Sequence, residues 1–254
     1  MSTVLGVVDG GAATRPVADV AAALARIVGI EVDVLHVRPA TARPGATPLP
    51  ARIEQGEPDD VVLEAIRDDD VVMVVIGARA APGGPRPVGH LTGAVVTGTT
   101  KPIVVVPPDL APDRRSLRRV VVPVEGGGEP SHDLRAAVSA FELAGSAVVA
   151  VHIFDRAAVP AFWEGWQDTE LWADEFGRRF APGTPDVPLE LCTGDIATAV
   201  LEMCDRHEAD LVALEWRQTF DGGRGAVVRD VLSRTTIPVL LASTTEDAHD
   251  DVVH

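Results

Sequence analysis

VVMVVIGARAAPGGPRPVGHLTGAVVTGTTKPIVVV, residues Val71 to Val106, decides the fold of the first half of this chain. Val71 to Ile76 is an unbroken apolar run, the pattern of a strand buried on both faces of a sheet. It ends in Gly77 and a loop holding Gly83, Gly84 and three prolines. Gly89 opens a short helical segment, and Lys101-Pro102 leads into a second buried strand, Ile103 to Val106. Strand, glycine loop, helix start, strand is how an open parallel sheet forms an anion pocket. Backbone N–H groups at the helix N-terminus point at the ligand, and glycines let the backbone come close to it.

The frame recurs downstream. Leu211 to Leu214 matches the first strand, Gly225 the helix-opening glycine, and Pro238-Val239-Leu240-Leu241 the closing strand. Gly89 precedes Pro102 by 13 residues and Gly225 precedes Pro238 by 13, and both intervals end in Thr-Thr-x-Pro. A duplicated fold follows. The division expected is a first domain over residues 1–109, a linker over 110–118, a second domain over 119–246 and an acidic tail over 247–254.

Composition agrees with that division. Hydrophobic residues make up 46% of the 254 and aromatics only 4%, so the cores are built from Val, Leu and Ala, as in parallel α/β proteins. No apolar run approaches the roughly 20 residues a membrane helix needs, and no charged-then-apolar leader opens the sequence, so a cytoplasmic location is expected. Residues 1–109 hold 13 acids and 9 bases, 110–119 one acid and four arginines, and 120–254 hold 24 acids and 9 bases, giving the net −16. Such a surface repels nucleic acid and anionic lipid, which are held chiefly by Lys and Arg. Neither is expected as a partner.

Along the chain, Val4 to Val8 reads as a buried strand running into Asp9-Gly10-Gly11, and Pro16 suits the first position of a helix that Gly29 closes. Val32 to Val37 is the next strand, Pro39 to Pro50 a loop, Arg52 to Gln55 a short edge strand and Asp59 to Asp68 a helix with acids in its first turn. The second half repeats the programme with strand Val120 to Val124, helix Ser131 to Leu143, strand Ala147 to Phe154, strand Leu189 to Cys192 and helix Ile196 to His207. Residues 161–180, AFWEGWQDTELWADEFGRRF, have no counterpart. Trp163 and Trp166, and Trp172 and Phe176, are spaced to share helix faces, so the insert is expected to cover the second sheet. The other reading is a partner-binding face, since clustered Trp anchors interfaces.

Other chemistry finds little support. Lys101-Pro102 precedes its strand, whereas in a phosphoacceptor receiver the pair follows one. The seven histidines include no pair at metal spacing on one helix, so no metal site is expected. Cys192 and Cys204 lack redox or metal spacing and read as buried free thiols. No Gly-x-Ser-x-Gly, Walker loop or Cys–His constellation is present, and no base or carboxylate set for ATP hydrolysis is evident. A non-enzymatic protein is expected.

Val-Val-Asp-Gly at 7–10, Leu-His-Val at 35–37, Gln-Gly-Glu-Pro at 55–58, Ile-Gly-Ala-Arg at 76–79 and Gly89 to Val106 together resemble the universal stress protein family in its tandem form. The resemblance implies two Rossmann-like α/β domains, each a five-stranded parallel sheet of order 3-2-1-4-5 flanked by helices. It also implies that the last strands of the two halves meet as an internal pseudo-dimer. ATP-binding members carry Gly, two residues, Gly, nine residues, then Gly with Ser or Thr. Here Gly77 is followed by Ala80, the interval to Gly89 is one residue short, and His90 replaces the hydroxyl. By resemblance, a nucleotide in the first half would meet Asp9, Val37, Gly77, Arg79, Gly89 and His90, with ATP as the cofactor. His90 reads equally as a phosphate donor or as a helix-start residue facing solvent. The second half departs further, with Glu215 and Gln218 in place of the first two glycines and Ala226 in place of the hydroxyl.

Two functions stand on this reading. One is a ligand-free interaction module with degenerate nucleotide loops, whose acidic, Trp-bearing half meets an unidentified protein partner or a second copy of the chain. The other is a stress regulator that binds adenine nucleotide in its N-terminal half.

Overall fold

Apolar runs such as Leu-Gly-Val-Val at 5–8 and Ile-Val-Val-Val at 103–106 suit strands with helices on both faces, and both are strands in the computed structural model. It describes residues 1–38, 50–78, 88–124, 130–154, 187–220 and 222–244. The insert at 161–180, the tail at 247–254 and Arg79 with Ala80 lie outside the described residues.

The first half contains β1 (Thr3–Val8), α1 (Thr14–Val28), β2 (Glu31–Arg38), β3 (Arg52–Gln55), α2 (Pro58–Arg67), β4 (Val71–Gly77), α3 (His90–Gly98) and β5 (Ile103–Val106). The second contains β6 (Arg119–Val124), α4 (His132–Leu143), β7 (Ala147–Phe154), β8 (Leu189–Thr193), α5 (Ile196–Arg206), β9 (Leu211–Trp216), α6 (Gly223–Arg234) and β10 (Val239–Ser243). The strands form one ten-stranded sheet in the order β3-β2-β1-β4-β5-β10-β9-β6-β7-β8. Pairing is parallel within each half, in the order the resemblance implies, and antiparallel where β5 meets β10. At that join Val105 faces Val239, Val104 faces Leu240 and Ile103 faces Leu241.

Alternation along the strands sorts the core into two layers. Val4, Val8, Val104, Val120, Val122 and Leu240 pack beneath α1 and α4. Leu5, Val7, Val105, Val121, Val212 and Leu241 face α2, α3, α5 and α6. Each layer runs across both halves, so the join lies inside the core. Trp216 at the end of β9 is buried and donates its indole N–H to the Val96 carbonyl of α3 at 2.9 Å. Gln218 Nε2 donates to the Thr99 carbonyl at 2.7 Å. The stretch between the halves forms a 3-10 helix, Pro112–Ser116, flanked by buried Leu110 and Leu117. Its arginines act as ties. Arg114 donates to the Ala209 carbonyl of the second half, and Arg115 pairs with Asp19 of α1 at 2.8 Å.

The repeated Thr-Thr-x-Pro acquires a physical reason. Thr99 Oγ1 accepts the Lys101 N–H and Thr235 Oγ1 accepts the Ile237 N–H, both at 3.1 Å, so the same turn leads into β5 and β10. Lys101 serves the fold: its Nζ donates to the Ile66 and Asp68 carbonyls at the end of α2.

Two local expectations are corrected. Helix α1 starts at Thr14, so Pro16 is its third residue; the missing N–H costs nothing because the first-turn donors have no intrahelical acceptors. Helix α6 starts at Gly223 with Gly222 before it, so Gly225 does not open the helix. Gly225 is needed for packing, since a Cβ there would lie 2.2 Å from the Thr219 carbonyl oxygen. Among the described residues no helix is long and apolar enough to cross a membrane.

Candidate functional site

Parallel strands with helices between them gather their loops at the carboxyl ends, and a cavity of about 740 Å3 opens there in the first half. Its floor is apolar, with Val7, Val8 and Val37 among its residues, and the starts of α1, α2 and α3 surround it. Five of the six residues assigned from the sequence line it: Asp9, Val37, Gly77, Gly89 and His90.

Their local roles differ from those of a phosphate loop. Asp9 is exposed after β1, and its Oδ1 accepts the Gly11 N–H at 2.7 Å, closing a turn in which Gly10 has φ 80°. Gly77 ends β4 where α1 leans on it. A Cβ there would lie 2.6 Å from the Ala13 Cβ, so helix packing alone demands glycine. Its carbonyl accepts the Thr92 hydroxyl at 3.1 Å. Gly89 is the extended residue before α3, as the sequence implies. His90 is 91% exposed and its Nδ1 lies 2.7 Å from Asp59 Oδ2, so the imidazole is engaged by a carboxylate of α2.

The sequence reading missed the acids. Glu57, Asp59 and Asp60 join Asp9 around the cavity, and His90 is the basic residue among its described lining. The signal for them is the acidic first turn of α2, Asp59 and Asp60. The first half is therefore less hospitable to polyphosphate than its modest net charge suggests. Against this, α1, α2 and α3 all start without a side-chain cap, leaving N–H donors at the cavity edge.

The second half holds the matching cavity, about 420 Å3, at the opposite end of the sheet because the join is antiparallel. Sheet register fixes the correspondence: Gly77 pairs with Val106 and Glu215 with Ala242, each the fourth residue after its Thr-Thr-x-Pro proline. Glu215 thus stands where Gly77 stands. Its Oε1 accepts the Ser131 N–H at 2.6 Å, at the start of α4, and its Oε2 lies 3.5 Å from Arg224 Nη1 of α6. Ser131 and Asp195 cap α4 and α5 through the Leu134 and Thr198 N–H groups. The Ser131 N–H and the Arg224 guanidinium are thus engaged by the chain's own carboxylate, while α6 starts without a side-chain cap.

The family model described as Universal stress protein family matches residues 116–243. The chain belongs to the universal stress protein family. Solved universal stress proteins share the whole architecture at low identity. One from Archaeoglobus fulgidus DSM 4304 is 15% identical, with 95% of this chain and 98% of that chain covered and a TM-score of 0.66. A putative universal stress protein from Pseudomonas aeruginosa UCBPP-PA14 is 10% identical, with 96% and 93% covered and a TM-score of 0.69. No curated protein matches the chain.

The cysteines of this universal stress protein are free thiols, Cys204 buried and Cys192 half-buried. Burial pushes the Cys204 thiol up to about 12 and raises that of Cys192. Among the described residues no group of three or more His, Cys, Asp or Glu is arranged to hold a metal ion.

Proposed function

We propose that this chain is a non-catalytic, cytoplasmic stress-response protein that acts as an interaction module, with each half serving as the other's structural partner. The observation that carries the reading is Glu215, which fills the anion position of the second half with a carboxylate held by Ser131 N–H and Arg224. Incoming phosphate would have to displace a partly buried charge from its donors and face it at close range, a cost of several kcal/mol on the order expected for like charges in a partly buried site. The acidic rim of the first cavity supports the same view, since Asp9, Glu57, Asp59 and Asp60 oppose a polyanion. Among the described residues the imidazoles and the Thr92 hydroxyl of the cavities are engaged within the chain: His90 meets Asp59, Thr92 donates to Gly77, and His152 Nδ1 lies 2.9 Å from the Val124 carbonyl.

A second reading, adenine-nucleotide binding by the first half, is favoured by the three uncapped helix starts around the larger cavity. Calorimetric titration of the full chain with ATP separates the two, with mass spectrometry of small molecules released from the purified protein as the companion measurement. The interaction-module reading expects no saturable heat. The nucleotide reading expects one site per chain, abolished by Val37→Trp in the first cavity. Two sites per chain would overturn the assignment of Glu215.

A further inference from the structure

The cavity of the second half is suited to a ligand unlike the one its fold position suggests. Most of its wall is apolar, with Val124, Val151, Ile153, Val200, Leu214 and Val227 among its residues. Its volume, about 420 Å3, falls within the range of small-molecule sites. Its charges cancel, because Glu215 and Arg224 face each other at 3.5 Å. Two of its polar groups are engaged from within: Glu215 accepts the Ser131 N–H, and His152 Nδ1 sits 2.9 Å from the Val124 carbonyl. Covering these two with an apolar body strands neither, and the start of α6, which has no side-chain cap, lies at the same edge as Arg224. Ile196, the first residue of α5, stands at the wall and is 39% exposed. It gives the entrance an apolar lip.

From these features we propose that the second-half cavity is a binding site for an uncharged, mainly apolar small molecule. Any single polar group of the ligand would face the Glu215–Arg224 edge. An anion would meet the Glu215 carboxylate and a cation the Arg224 guanidinium, and either would have to break that pair. An uncharged arene or aliphatic body breaks nothing and removes valine, leucine and isoleucine surface from water. The inference goes beyond the nucleotide question, concerning another cavity and another ligand class.

The test uses the full chain and N-phenyl-1-naphthylamine, an uncharged fluorescent arene. Saturable binding at one site per chain is expected, unchanged by excess ATP. Ile196→Glu, at an exposed position where folding is little affected, should weaken it at least about tenfold by placing a charge on the apolar lip. Val227→Phe, which fills the cavity from α6, should do the same in a chain whose circular dichroism is unaltered. Absence of saturable binding to the folded wild-type chain would overturn the proposal. So would binding that neither variant weakens, or a probe that ATP displaces.

Discussion

Replacing Trp216 with Phe tests whether the two halves are one cooperative unit. The indole is fully buried, stacks at a tilt on Phe220 with ring centroids 4.8 Å apart, and gives its N–H to Val96 at 2.9 Å. Val96 lies in the last turn of α3, where carbonyls lack intrahelical donors, so Trp216 completes a helix of the other half. Phe fills most of the space but leaves that carbonyl buried and unpaired, at about 1–3 kcal/mol. The lost pyrrole portion leaves a cavity on the order of 35 Å3, adding about 1 kcal/mol at ~24 cal/mol per Å3. The expected loss is about 2–4 kcal/mol. With a urea m-value of about 3 kcal/mol/M, the midpoint should fall by about 1 M in a single transition followed by far-ultraviolet circular dichroism. A shift under about 0.2 M, or separation into two transitions, would refute the view that this contact couples the halves.

Gly77→Ala should cost about 1–3 kcal/mol without any ligand present, since the new Cβ meets Ala13 at 2.6 Å; an unchanged melting temperature would return Gly77 to a purely ligand-binding role. Asp195→Ala should remove the cap of α5 at about 1 kcal/mol, while Asp195→Asn loses much less. Hydrogen bonds from Thr198 hold the Asp195 carboxyl below its ordinary range, so its contribution is present at neutral pH and is lost as pH falls through the folded-state value. The difference between wild type and Asp195→Ala in urea unfolding should therefore shrink in acid. Cys204, its thiol raised to about 12, should resist iodoacetamide at pH 8, where only about one thiol in ten thousand is ionised, and should react once urea unfolds the chain; labelling of Cys204 in the native protein, read by mass spectrometry, would contradict the burial argument.

Strand positions were legible because hydrophobic patterning and the duplicated Thr-Thr-x-Pro are local signals, whereas the strand order and the meeting of β5 with β10 came from the family resemblance. At the cavity, Gly77 and Gly89 were legible as glycines at a strand end and a helix start, while Asp9, Val37 and His90, which line it with them, came from the family resemblance. What those residues do there was less legible, because it depends on contacts distant in sequence. Gly77 is required by Ala13, His90 is engaged by Asp59, and Glu215 reaches Ser131 across 84 positions. The three arginines of the linker, Arg114, Arg115 and Arg118, read in sequence as a local positive charge. Two of them are ties whose acceptors, Ala209 and Asp19, lie 95 and 96 residues away.

The antiparallel seam between β5 and β10 has a consequence for inheritance. In a homodimer joined across a two-fold axis, one gene writes both faces, and every substitution arrives in duplicate. Here Ile103-Val104-Val105 lies against Val239-Leu240-Leu241, two sequences encoded separately in one chain. Selection can alter either copy alone. A carboxylate could settle at Glu215 while Gly77 stayed bare, and a Trp could enter one seam-side strand without its twin colliding with it. Two halves written separately in one chain are thus free to differ, while the covalent link keeps them at fixed stoichiometry.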